Sequence, residues 1–171
     1  MRRHAAVPIV VAAVLLAGCG DKTLKSDELK DTIATQFKAQ GAPLHDISCP
    51  DDIKAQTGAE IHCTALNATD TKLVLEGKVA SVTDDKARFN VKAVSGTAKG
   101  TVIAAQARQL LEQKVGQKAK GMTCPAEVPL PTKPSVTCEL QTLDGKRYDA
   151  TVTVSVDAQI NVEVAQTPKN S

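Results

Sequence analysis

The segment CPDDIKAQTGAEIHC at residues 49–63 returns in outline as CPAEVPLPTKPSVTC at residues 124–138. Each stretch opens on Cys-Pro and closes on a cysteine 14 positions later, and corresponding cysteines lie 75 residues apart. A recurrence at that period marks two copies of one structural unit.

Working outward, each cysteine pair is preceded by a helical pattern. Before the first, Ser26 followed by Asp27 and Glu28 reads as a helix start, with carboxylates near the positive end of the dipole. Leu29, Ile33 and Phe37 then recur at helical spacing, and Gly41 reads as the stop. Before the second pair, Thr101 reads as a cap, Ile103, Ala107, Leu110, Leu111 and Val115 as one apolar stripe, and Gly121 as the stop.

Downstream of each pair the period changes to two. Phe89, Val91 and Ala93 alternate with Arg88, Asn90 and Lys92, and Tyr148, Ala150, Val152, Val154 and Val156 alternate with polar residues before Ile160, Val162 and Val164 continue. That is the period of a half-buried strand. Asp144-Gly145 marks a hairpin turn, with Val136, Cys138 and Leu140 on the strand before it. The expected fold class is therefore α+β, a tandem repeat of two small domains, each with one helix packed on an antiparallel sheet of three to four strands. The first repeat is expected over 24–95, a linker over 96–100, the second repeat over 101–166 and a C-terminal tail over 167–171.

The start of the chain has a different character. Arg2, Arg3 and His4 precede an apolar run from Ala5 to Ala17, which ends at Leu16-Ala17-Gly18-Cys19. A positive head, a short apolar body and small residues before a cysteine read as a secretory signal over 1–18. The run is shorter than the roughly 20 residues a spanning helix needs. Leu16-Ala17-Gly18-Cys19 resembles the bacterial lipobox, which implies cleavage before Cys19, diacylglycerol on its sulfur and further acylation such as palmitate. Residues 19–23 are then a lipidated tether, and the expected location is the extracytoplasmic face of the cell membrane.

Export places the other four cysteines in an oxidising compartment. Four cysteines allow three pairings, and the repeat selects Cys49 with Cys63 and Cys124 with Cys138, one staple inside each copy. Units of this size bury little core for their surface and gain from such a staple.

Cleavage would remove Arg2 and Arg3 but no acidic residue, so 19 basic and 19 acidic side chains remain. A neutral mature chain lacks the basic footprint of a nucleic-acid binder. Phe37, Phe89 and Tyr148 are its only aromatics, too few for a base-stacking surface.

His45 and His62 lie near cysteines, but the second copy has no histidine. Both therefore read as surface or strand-edge residues, and neither a metal nor a cofactor is expected. The sequence contains no Gly-x-Ser-x-Gly elbow, His-Glu-x-x-His pair or phosphate-binding glycine loop. Asp51-Asp52 and Asp84-Asp85 read as solvated turn residues, and no enzyme is expected. Pro125, Pro129, Pro131 and Pro134 make the second inter-cysteine loop proline-rich, which reads first as a stiffened exposed loop and alternatively as one preorganised in extended form for a partner.

The helix, Cys-Pro, mid-loop Gly58, second cysteine and valine-rich strand resemble a domain of unknown function common in actinobacterial, including mycobacterial, lipoproteins. That resemblance covers nearly all of the mature chain and implies a disulfide-stapled exported domain without an assigned reaction. The second copy lacks the glycine between its cysteines. A looser architectural resemblance is to secreted β-lactamase inhibitor proteins, whose aromatic-rich faces this chain lacks. The expected function is a membrane-anchored, non-catalytic module that binds an envelope protein or ligand. The alternative is a carrier of a lipid or small apolar ligand in a pocket between helix and sheet, lined by Leu29, Ile33, Phe37, Leu73 and Leu75.

Overall fold

The computed structural model describes residues 23–51, 53–83 and 86–169. Cys19, the signal, Asp52, Asp84 and Asp85 lie outside the described residues. Helix α1 (Ser26–Ala39) leads into β1 (Leu44–Ser48), β2 (Glu60–Asn67), β3 (Lys72–Thr83) and β4 (Lys86–Lys99). Helix α2 (Gly100–Val115) then leads into β5 (Ala119–Thr123), β6 (Glu127–Leu130), β7 (Val136–Thr142), β8 (Arg147–Val154) and β9 (Ile160–Val164).

Two antiparallel sheets result, with strand orders β1-β2-β3-β4-β6 and β5-β7-β8-β9. They have five and four strands, where three to four were expected in each. Disulfides join Cys49 to Cys63 and Cys124 to Cys138, tying the end of the short first strand of each copy to the strand after the loop.

Each copy has its own core. Leu29, Ile33 and Phe37 of α1 pack with Ile61, Cys63, Leu73, Leu75 and Val91. Ile103 and Ala107 of α2 pack with Val128, Leu130, Cys138, Ala150, Val152 and Val162. The copies match in sequence with two slips. Strands β1, β2 and β3 match β5, β7 and β8 at the 75-residue offset, β4 matches β9 at 71, since Gly77 pairs with Val91 and Val152 with Val162, and Leu29, Ile33 and Phe37 match Ile103, Ala107 and Leu111 at 74. The extra residue falls at the end of α2, before Gly116.

The extra strand is the main departure from expectation. Gly96, Thr97, Ala98 and Lys99, expected as a linker, form the end of β4 and pair with Leu130, Pro129, Val128 and Glu127 of β6. Ala98 is buried in the second core, so burial holds this stretch in the sheet despite its weak strand propensity. Among the described residues, the counterpart in the first copy is a single bridge, Thr23 to Lys54, with Leu24 donating to the Ile53 carbonyl at 2.8 Å. Thus β4 completes the first sheet and begins the second copy.

This pairing also places the proline-rich loop. Val128 and Leu130 are buried, and Thr132 exchanges backbone and hydroxyl hydrogen bonds with Val154 at 2.9 and 2.8 Å. The Leu130-Pro131 and Lys133-Pro134 peptides are cis. Val128, Leu130 and Thr132 thus anchor the loop in the second copy, while Pro125, Pro129 and Pro134 stay exposed.

The helix boundaries also differ. Ser26 and Thr101 are inside their helices, and the N-caps are Lys25 and Lys99 without side-chain cap bonds. Ser26 Oγ instead donates to the Cys49 carbonyl at 3.4 Å. Helix α2 stops at Gly116, whose left-handed conformation (φ 69°) suits glycine, while Gly121 lies in β5. Of the expected α2 stripe, Ile103 and Ala107 are buried, but Leu110 and Val115 are 39% and 55% exposed.

Candidate functional site

The interface between α1 and its sheet is packed. Leu29, Ile33 and Leu75 are almost wholly buried, so the expected helix-to-sheet pocket is occupied by side chains. The concavity lies at one end of that core, where the second copy meets the first. It is a groove of about 660 Å³, within the general range of ligand sites.

The groove floor is apolar. Phe37 from α1, Leu44 from β1, Leu73 from β3, and Val91 and Ala93 from β4 contribute to it, and Val156 closes it from the second copy. Its lips are three turns held by their own hydrogen bonds. After α1, Gly41 and Ala42 donate to Lys38 and Phe37 carbonyls at 3.0 Å each. Between β2 and β3, Asn67 Oδ1 accepts from the backbone of Thr69 and Thr71 at 2.9 and 3.0 Å. Between β8 and β9, Gln159 donates to Ser155 Oγ at 3.0 Å, and the Ser155 hydroxyl also donates to Asp157.

Polar side chains occur at the rim. Lys92 borders the groove through its place in β4, but stands opposite Glu76 on the sheet face away from Val91 and Ala93 and also lines the charged concavity on that face. The Asp157 carboxylate is engaged by Ser155. Just outside, His45 lies between Asp46 at 3.1 Å and Asp70 at 3.6 Å, with the Asn67 carbonyl at 3.0 Å. The hydrogen bond to Asp46 is the largest cause holding the His45 imidazole above its ordinary value, supplemented by Asn67 and the Asp70 charge.

A second concavity of about 420 Å³ lies over β2, β3 and β4 and has a charged character. There His62 approaches Glu60 at 3.4 Å and Glu76 at 4.0 Å, while Lys78 pairs with Glu60 at 3.4 Å. The His62 and Lys78 hydrogen bonds hold the Glu60 carboxyl below its ordinary value. Among the described residues, no group of three or more histidine, cysteine or acidic side chains is arranged to hold a metal ion. His45 and His62 are both partly exposed strand residues.

These features define a class, a tandem of disulfide-stapled α+β units fused through one strand, with a groove at the fusion. The chain belongs to the DUF4333 family, a domain of unknown function, which matches it twice, over residues 9–84 and 88–158. The second match begins within β4 and ends before β9. No curated protein and no solved structure matches the chain. No helix among the described residues is long and apolar enough to cross a membrane.

The sequence reading anticipated Phe37 and Leu73 near a pocket but missed Ala93 and Val156. The segments that form the groove are far apart in the chain, and only the pairing of β4 with β6 brings the second copy against the first.

Proposed function

We propose that the protein is an envelope lipoprotein of actinobacterial type, held on the extracytoplasmic face of the cell membrane through a lipid on Cys19. Its two repeats act as a non-catalytic module that binds an envelope protein or another envelope component. The supporting observation is the lipobox-like Leu16-Ala17-Gly18-Cys19 lying close in sequence before the first copy. Thr23 is already bridged to Lys54, which leaves Gly20, Asp21 and Lys22 as the intervening tether. Both disulfides agree with an exported protein.

Metabolic labelling with an alkyne analogue of palmitate tests the anchor. The full chain is expected to take the label and the Cys19→Ser variant to lose it; equal labelling overturns the assignment. Crosslinking in intact cells is expected to return a reproducible envelope neighbour, and failure with several crosslinking chemistries overturns the binding-module reading.

The groove favours a second reading, a carrier of a lipid or small apolar ligand. Its site is the junction between repeats instead of the interior between helix and sheet.

A further inference from the structure

We propose that His45 is a proton-operated clip on the groove, closing the β2–β3 lip against β1 when both ring nitrogens are protonated and releasing that lip when the ring returns one proton to solvent. The consequence for binding rests on the groove being a binding site. The opening itself is measurable with no occupant present.

The placement of the ring carries the argument. Its Nδ1 faces the Asp46 carboxylate at 3.1 Å, and its Nε2 faces the Asn67 carbonyl at 3.0 Å with Asp70 Oδ1 at 3.6 Å. Carboxylate and carbonyl oxygens only accept, so both contacts are hydrogen bonds only in the imidazolium, where each nitrogen carries a hydrogen. A neutral ring has one N–H and donates to one side alone. Asp46 belongs to β1, whereas Asn67 ends β2 and Asp70 lies in the turn after it, so the charged ring ties strand and turn together. Asn67, Ala68 and Thr69 line the groove, as does Leu44 beside His45.

The surrounding charges favour the closed form. Asp46 faces the ring from its own strand and Asp70 from the turn. Lys72 of β3 shares the row of His45 but stands beyond Leu66, and α1 packs on the opposite face of β1, with Leu44. The Asp46 hydrogen bond, more than Asn67 or the Asp70 charge, holds the imidazole above its ordinary value. Backbone preference does not explain the aspartate in the turn. Asp70 is left-handed at φ 55°, where the second copy has Gly145 at φ 86°. His45, Asp46 and Asp70 correspond, 75 residues on, to Lys120, Gly121 and Gly145, so the clip is confined to the copy whose turn forms the groove lip.

The test uses the full chain in nanodiscs, without ligand. Ring signals from isotope-labelled histidine follow protonation, with His62→Gln assigning the His45 resonances. Hydrogen exchange at residues 67–71 follows the lip, and residues 142–146, the matching turn without a clip, correct for the intrinsic pH dependence of exchange. Relative to that reference, exchange at 67–71 is expected to be about five-fold faster at about pH 8 than at about pH 5, with the midpoint of the His45 ring.

His45→Gln keeps an amide donor but carries no charge, and is expected to abolish the pH dependence. Asp70→Asn is expected to move the ring and lip midpoints down together. A His45 ring neutral throughout this range, pH-independent lip exchange, or a pH dependence surviving in His45→Gln would each overturn the clip. Failure of the carrier reading would leave these outcomes unchanged, since none requires an occupant.

Discussion

A β-carbon built on Gly100 would stand 1.7 Å from the carbonyl oxygen of Pro125 and 3.2 Å from that of Cys124. The first turn of α2 is pressed directly against the Cys-Pro corner. In the first copy the matching position is Ser26, whose hydroxyl reaches the Cys49 carbonyl. The same corner is met once by bare backbone and once through a side chain.

Gly100→Ala is therefore expected to destabilise the protein by about 1–3 kcal/mol through overpacking, although alanine is the better helix former. Ser26→Ala removes a long hydrogen bond and is expected to cost less than about 1 kcal/mol. Urea unfolding with both disulfides intact compares them. A stabilising Gly100→Ala would contradict the close approach.

Ile33 and Ala107 occupy matching helix positions, and both are fully buried. Ile33→Ala is expected to cost about 2–5 kcal/mol by opening a cavity. The reverse exchange, Ala107→Ile, is expected to cost about 1–3 kcal/mol by forcing volume into the smaller helix contact. Denaturant midpoints are the readout, and a stabilising Ala107→Ile would show unfilled space in the second core.

Asp144 gives the β7–β8 turn a specific acid response. Thr142 hydrogen bonding, followed by Lys146, holds its pKa down to about 2 from 3.8. A depressed carboxylate contributes stability above its unfolded pKa, and that contribution is lost as pH falls through the folded value. The melting-temperature advantage of the native chain over Asp144→Asn is expected to be constant near neutrality and to shrink from about pH 4 to about pH 2. An advantage unchanged at pH 2 would rule out this ionisation as its source. His45 has the opposite sign. Its raised pKa favours the folded state below the ordinary value of 6.5, so His45→Gln is expected to lose more stability at pH 5 than at pH 8.

Because β4 belongs to both copies, the native protein is expected to unfold in one calorimetric transition, with matching calorimetric and van't Hoff enthalpies. Ala98→Asp buries a charge where β4 enters the second core. It is expected to lower the stability of the second copy and divide the transition. Two transitions in the native chain would mean that the shared strand does not couple the copies.

Much of this architecture was legible because local signals agreed. Cys-Pro spacing, the Leu29-Ile33-Phe37 stripe, and alternation through Val152 and Val154 all pointed to stapled helix-and-sheet units. β6 was hidden because Val128-Pro129-Leu130 carries a proline lacking a backbone donor. Such a residue is tolerated because β6 is the edge of its sheet. Gly96 to Lys99 read as a linker because its strand state depends on partners far away in sequence. Val156 could not be read as a neighbour of Phe37 and Leu73, since its place at the groove is set by tertiary packing.

The slips between copies have a further meaning when their matching residues are followed. Phe37, Leu44 and Leu73 border the groove, while Leu111, Ala119 and Tyr148 at the corresponding places pack around the second core. Duplication produced two similar scaffolds in unequal neighbourhoods, because the opening beside the first is closed by Val156 of the second. Selection on a shared opening would therefore bear on the earlier residues, leaving their later counterparts to diversify under packing alone.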